Sequence, residues 1–212
     1  MASAAATLDA GLAELGLVLA PSQRQALLDF ADLLRRWNRV YNLTAVDDPQ
    51  AIVTRHLLDS LAVQPYLHGR RLVDVGSGAG LPGIPLAIAD PGIEVTLLDA
   101  AAKRVRFVRQ VLIELRLGNA RALQARAEAH AERYDCVVSR AFAGLSDMLT
   151  TCRQLVAPDG VILAMKGQRP GEELERLPPG FRVVAVETLA VPGLDAERHL
   201  VRFAPVPRDA TA

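Results

Sequence analysis

Asp74-Val75-Gly76-Ser77-Gly78-Ala79-Gly80 is the stretch on which the reading of this chain turns. It follows a short apolar run, Arg71–Val75, and precedes a helix-like segment, Pro82–Asp90. Glycines at such a turn let the backbone approach a ligand closely, and the helix that follows presents free N–H groups. The next apolar run, Glu94–Asp99, reads as a second strand. It ends in an acid 23 positions after Gly76. That is the spacing of a carboxylate that accepts hydrogen bonds from ribose hydroxyls. Asp99 equally suits the cap of a helix starting at Ala102, and the two roles are compatible.

Two cofactor classes use this layout. A dinucleotide fingerprint, G-x-G-x-x-G counted from Gly76, requires a glycine at position 81, which is Leu81. The spacing is instead Asp-x-Gly-x-Gly-x-Gly, with an acid at the strand end. S-adenosylmethionine has no pyrophosphate to cradle and carries a sulfonium and an ammonium. Asp74 suits those cations, directly or by fixing the loop. Methyl transfer is therefore the better reading, and Leu81 argues against a nicotinamide oxidoreductase.

Outward from the loop, strands and helices alternate. Ala102–Leu117 reads as a long amphipathic helix, with Ala120–Gln124 and Tyr134–Ser139 as strands. Ser146–Val156 reads as a helix, Pro158-Asp159-Gly160 as a turn, and Val161–Lys166 as a strand. Phe181–Val191 and His199–Pro205 close the pattern as an antiparallel pair. Such alternation makes parallel βαβ units. Residues 1–69 carry no strand signal and read as helical. Ser22 is expected to cap a helix after Pro21, on which Leu27, Leu28, Leu34 and Trp37 recur at helical spacing. Asp48 and Pro49 start another that runs to about Tyr66. The expectation is an α/β, Rossmann-like sheet of seven strands over residues 70–212, with a helical N-terminal extension over 1–69.

Composition excludes several classes. Among 212 residues, half are hydrophobic, and 24 basic groups balance 24 acidic ones. The chain can bury a core and is not a generic polycation that coats nucleic acid. The charge is uneven: residues 70–168 hold 13 basic and 10 acidic groups. The excess is sharpest at 100–121, where Lys103, Arg104, Arg106, Arg109, Arg116 and Arg121 face only Glu114. Two cysteines, Cys136 and Cys152, without paired Cys/His spacing, point to small core residues and no metal site. The first twenty residues lack a signal-peptide pattern, and no apolar run approaches a membrane span. A cytoplasmic protein with no membrane partner is expected.

Asp74–Pro85 (DVGSGAGLPGIP), Leu97–Arg106 (LLDAAAKRVR), Arg126-Ala127-Glu128, Ser139-Arg140-Ala141 and Lys166-Gly167-Gln168 together are familiar. So are Trp37-Asn38 with Tyr41-Asn42-Leu43-Thr44, His56-Leu57-Leu58-Asp59-Ser60, and Glu197-Arg198-His199-Leu200. In this order they resemble the bacterial small-subunit ribosomal RNA guanine-N7 methyltransferases, the glucose-inhibited division protein B family. The resemblance spans nearly the whole chain. It implies a class I methyltransferase fold, S-adenosylmethionine as cofactor, and N7 of guanine 527 of 16S rRNA as target. It carries cofactor contacts onto Gly76, Leu81, Ala127, Glu128 and Arg140. Ala100 stands where many relatives have Ser, which puts a side-chain contact there in doubt.

Chemistry makes sense of these positions. Ligands of open parallel sheets bind beyond the carboxyl ends of the strands. Asp74, Gly76, Gly78, Asp99, Glu128 and Arg140 all lie near such ends. Glu128, or the backbone beside it, is placed to accept from an adenine amino group, and Leu81 to give apolar contact or simply to pack. Guanine N7 has a lone pair and no proton, so catalysis is expected mainly from positioning, without an obligatory general base. Arg140 and Lys166 are the candidates to hold the base or its flanking phosphates, or are plain surface charges. Phe142 or Tyr41 either stacks on the base or packs in the core. His56, Asp59 and Ser60 share a helix face that is a satisfied network or borders the substrate cleft; Asn38 and Asn42 pose the same choice. Lys103, Arg104, Arg106, Arg109, Arg198 and His199, with Arg70 and Arg71, are the candidate RNA footprint. A monomer acting on 16S rRNA within the small subunit or its precursor is expected. A non-catalytic ribosome-binding module fits less well with an intact glycine loop, Asp99, Arg140 and Lys166.

Overall fold

The computed structural model describes residues 3–140, 142 and 144–206. Seven strands form one sheet: β1 Arg71–Val75, β2 Glu94–Asp99, β3 Ala120–Gln124, β4 Tyr134–Ser139, β5 Val156–Lys166, β6 Phe181–Thr188 and β7 His199–Pro205. Their order is β3-β2-β1-β4-β5-β7-β6. The first five strands run parallel. β7 inserts antiparallel between β5 and β6, and β6 lies antiparallel to β7 at the edge. The final pair is antiparallel, as its short connection requires, but the second member and not the first joins the rest of the sheet.

Apolar residues on both sides of the inner strands β1, β2, β4, β5 and β7 bury the middle of the sheet from two faces. Val73, Val137 and Ile162 lie in register across β1, β4 and β5. They face a core shared with Leu149 of α7 (Leu145–Cys152) and with Phe203. The alternate residues Leu72, Val138 and Leu163 face the other core. Helices α1 (Ala4–Glu14), α2 (Pro21–Tyr41), α5 (Gly83–Ala89) and α6 (Ala102–Glu114) contribute Leu8, Phe30, Ile84 and Phe107 to it. The segments before β1 therefore share one continuous core with the sheet.

Local chemistry accounts for the helix ends, with three departures from expectation. Asp48 caps α3 (Pro49–Ile52) by accepting from the Ala51 N–H at 2.8 Å. Ser22 does not cap α2. Pro21 takes the first helical position, and Gln23 accepts the Ala20 N–H at 2.8 Å while donating to the carbonyls of Ile88 and Ala89. The expected single helix to Tyr66 is broken: Val53–Leu58 is π-helical, α4 is Asp59–Leu61, and a 3-10 turn covers Gln64–Tyr66. α7 ends at Cys152, short of the expected Val156. The turn signal at Pro158-Asp159-Gly160 lies inside β5, where register jumps from Tyr134↔Val156 to Cys136↔Val161. The intervening residues bulge out opposite Asp135, and a Cβ on Gly160 would meet the Asp135 carbonyl at 2.8 Å.

The strand order sets the site. Crossovers from β1 run outward to β2 and β3, then return to β4 on the other side of β1. The loops after β1 and β4 part there, leaving a crevice at the carboxyl ends of the strands. Because β7 is antiparallel, its first residue lies beside the last of β5, with Lys166 opposite His199.

Candidate functional site

The glycine loop is wired to both neighbouring strand ends. The N–H groups of Gly76 and Ser77 donate to the Leu98 carbonyl at 2.8 and 3.1 Å. Gly76, Gly78 and Gly80 take φ of 68, 57 and 80°, a region costly for any residue with a Cβ. A side chain at Gly76 would meet nothing within 4 Å, so open space lies beside the backbone there. At Gly80 a Cβ would strike the Ile84 side chain.

Two acids organise this loop. Asp99 accepts the Gly78 N–H at 2.9 Å on one oxygen and the Ala101 N–H at 2.8 Å on the other, with Arg104 at 3.4 Å. It thus ties the loop to the start of α6 and is itself 5% exposed. Asp74 is wholly buried. One oxygen accepts the Gly83 N–H at 2.8 Å, and the other, Oδ1, has no hydrogen-bond partner among the described residues. Burial pushes its carboxyl up to about 7, against the pull of the Gly83 N–H and the Arg140 charge. A buried acceptor left without a partner is unusual and calls for a reason.

The other candidates fall at varied depths. Leu81 is 3% exposed and sits in the main core, leaving only its backbone for a ligand. Ala127 is buried in a 3-10 turn, Ala127–Ala129, with its carbonyl taken by Gln154, and Glu128 beside it is exposed. Arg140 follows β4, and Ser139 before it is held by donating to the Val75 carbonyl at 2.7 Å. Ala141, the third residue of that motif, lies outside the described residues.

Beyond β4 a second group converges. Asp59, 2% exposed, accepts Arg198 Nε at 2.8 Å and Arg140 Nη1 at 3.3 Å. With Arg55, His56 and Lys166 these side chains line a cleft of about 290 Å³. Lys166 is not a plain surface charge: its ammonium pairs with Glu173 at 2.8 Å, and Glu173 also accepts the Leu145 N–H. His56 is held at both ring nitrogens, Nδ1–H donating to the Arg55 carbonyl at 2.9 Å and Nε2 accepting from the Thr44 hydroxyl at 2.8 Å. Thr44 is in turn fixed by Asn38. Burial and the Arg140 charge lower His56 to about 4, so it is neutral near pH 7. The face carrying His56, Asp59 and Ser60 is thus both satisfied internally and part of the cleft wall.

The candidate RNA footprint does not form one surface. Lys103, Arg104, Arg106 and Arg109 are exposed on α6, Lys103 reaching the Tyr41 carbonyl at 3.3 Å. Arg198 is turned inward onto Asp59, and His199 is 6% exposed. Arg70 and Arg71 lie at the amino end of β1, opposite the glycine loop, where Arg71 pairs with Glu132. Tyr41 stacks on Trp37 with centroids 5.2 Å apart, and Phe142 packs against the α7-side core. Cys136 and Cys152 are buried, and burial lifts both thiols to about 12. Among the described residues no cluster of three His, Cys, Asp or Glu is placed to hold a metal, and no helix is long and apolar enough to cross a membrane.

The family model described as GidB, rRNA small subunit methyltransferase G, matches residues 23–201. The chain belongs to that family. Within it, the chain is 51% identical over 205 residues to the ribosomal RNA small subunit methyltransferase G of Methylococcus capsulatus, covering 96% of this chain and 100% of the relative. Identity to the protein of the same name from Shewanella loihica is 49% over 200 residues, covering 93% and 97%. More distant solved structures share the fold. A SAM dependent methyltransferase from Aquifex aeolicus superposes with a TM-score of 0.58 at 19% identity, covering 78% of this chain and 97% of that one. The glycopeptide N-methyltransferase MtfA, complexed with S-adenosyl-L-homocysteine, gives 0.58 at 15% identity, covering 71% and 87%. For this member of the methyltransferase G family, sequence reading missed Glu173 as the partner of Lys166 and Thr44 as the partner of His56. Neither has a motif of its own: Lys166 ends β5 and meets Glu173 across the turn that follows, and His56 meets Thr44 only when the segment before α3 folds back onto it.

Proposed function

We propose that the chain transfers a methyl group from S-adenosylmethionine to N7 of a guanine in 16S rRNA, guanine 527 by family resemblance. The observation that carries the reading is the glycine loop with Asp74 beneath it and Asp99 beside it, at the crevice between β1 and β4. The donor supplies an electrophilic methyl on a sulfonium. Asp74, with its free buried oxygen, favours the donor's cationic end; Asp99 accepts from ribose hydroxyls; Gly76, Gly78 and the backbone of Leu81 allow close approach. Ala127 and Glu128 border the adenine. Lone pairs on guanine N7 need no proton removed, so the chain's task is to hold base and donor in line. Arg140 and Lys166 supply that hold on the substrate side, and the exposed Lys103, Arg104 and Arg106 of α6 meet RNA phosphates.

Residues 1–69 act in this reading as a helical extension that completes the crevice of a methyltransferase unit over 70–212. A cytoplasmic monomer working on the small ribosomal subunit or its precursor fits zero net charge, which leaves little non-specific affinity for naked RNA. The test is thermal melting with S-adenosylmethionine or a nicotinamide dinucleotide, then transfer of labelled methyl to 16S rRNA. The methyl donor alone is expected to raise the melting temperature, with label entering RNA. Stabilisation by the dinucleotide only, or donor binding without transfer, contradicts the reading.

A further inference from the structure

Asp59 is a buried carboxylate asked to serve two guanidiniums that come from the strands on either side of β5. Arg140 follows β4, and Arg198 precedes β7. They stand 81 and 139 positions from Asp59, yet both reach it, at 3.3 and 2.8 Å. Each guanidinium is also fixed by a backbone carbonyl, that of Arg55 for Arg140 at 3.4 Å and that of Glu197 for Arg198 at 2.8 Å. One carboxylate cannot neutralise both. Arg55 adds a third guanidinium to the cleft wall, His56 is neutral, Lys166 is balanced by Glu173, and Asp59 is the one acid among the lining residues. The cleft therefore carries uncompensated positive charge, with guanidinium edges not turned to Asp59 still able to donate. A planar fork held on one side and open on the other suits a tetrahedral oxyanion. Asp59 itself follows a π-helical turn, a local distortion frequent at functional sites.

We propose that Asp59 is a positioning residue whose carboxylate sets Arg140 and Arg198 as a two-armed receptor for one phosphodiester of the RNA strand at the methylation site. The inference rests on the RNA methyltransferase reading and adds to it the anchoring of the strand by its backbone. It also assigns the N-terminal helices a part in substrate capture, because Asp59 belongs to them.

The test compares the full-length protein with its Asp59→Asn variant on a single-stranded fragment of 16S rRNA. Loss of one phosphate contact is expected to flatten the slope of log affinity against log salt by about 0.7. The KM for RNA rises about tenfold, a larger change than that in kcat. A residue that only supports the fold would move the melting temperature and leave the salt slope alone. Unchanged slope and KM in a folded variant overturn the proposal. A second arm does not rely on the Asp59 variant. Inorganic phosphate is titrated into the wild-type protein while the Arg140 and Arg198 side-chain Nε–Hε NMR signals are followed, assigned with Arg140→Lys and Arg198→Lys. Saturable shifts of both support the receptor, and signals that stay fixed refute it. Failure of methyl transfer to any RNA, with the phosphate shifts intact, would instead strike the methyltransferase reading.

Discussion

Asp74 and Asp99 illustrate how one residue type is held in two different ways by its surroundings. Asp99 accepts two backbone N–H groups beside Arg104. Asp74 has one N–H and no solvent, and burial lifts it to about 7. An acid with a folded value above its unfolded one supports the fold best while protonated. Its contribution is full below the unfolded value of 3.8 and is lost as pH rises to about 7. Asp74→Asn keeps an acceptor for Gly83 without the charge. Its melting temperature is expected above that of the wild type at pH 8 and close to it at pH 4, while its affinity for the cationic donor falls. Melting curves at both pH values and donor titrations check this. Asp99→Ala should weaken donor binding by about 1–3 kcal/mol, the worth of a hydrogen bond to a charged group. Unaltered affinity by calorimetry would remove Asp99 from the ribose.

Between residues and fold, the segment from Thr44 to Ser60 joins the N-terminal helices to the site. His56 bonds Thr44 and the Arg55 carbonyl, and Ser60 Oγ donates to the His56 carbonyl. A base whose folded value is depressed, here from 6.5 to about 4, stabilises above the unfolded value. That contribution is lost as pH falls toward 4. It therefore opposes the Asp74 effect over much of the same range. Thr44→Val leaves the buried His56 Nε2 without a donor and should cost about 1–3 kcal/mol in urea unfolding at pH 7. Element identity was legible from sequence where signals are local. The glycine loop, the acid ending β2, the Asp48–Pro49 start and the alternation of strands and helices all depend on neighbours within a few residues. What was not legible depends on distant ones. No local pattern distinguishes a π turn at Val53–Leu58, places β7 inside β6, or turns the apparent turn at Pro158–Gly160 into a bulge against Asp135. Leu81 reads as an apolar contact or as plain packing, and His199 as part of the RNA footprint, and tertiary packing buries both side chains. The partnership of Asp59 with Arg140 and Arg198 spans most of the chain.

At the scale of the whole molecule, zero net charge and a local basic face make two demands on binding. In the proposed reading the exposed side of α6 and the Asp59 cleft supply the attraction rather than the molecule at large, and structured RNA adds contacts of shape. Reversing two charges there, Arg106→Glu with Arg109→Glu, should weaken RNA binding and flatten its salt dependence by about 0.7 per lost phosphate contact. Donor affinity should be unchanged, since neither residue borders the glycine loop. Filter-binding titrations across salt concentrations read both quantities. The sheet order brings the glycine loop, Asp99, Arg140 and the Asp59 cleft to one edge, which in the proposed reading is the reactive face. The most direct measurement of that claim is the position of the transferred methyl. Purified protein is incubated with labelled S-adenosylmethionine and either naked 16S rRNA or small subunits, and the digested RNA is mapped by mass spectrometry. A single N7-methylguanine at position 527 is the expected product. Label on another atom, scattered over many guanines, or absent from both substrates would contradict the account.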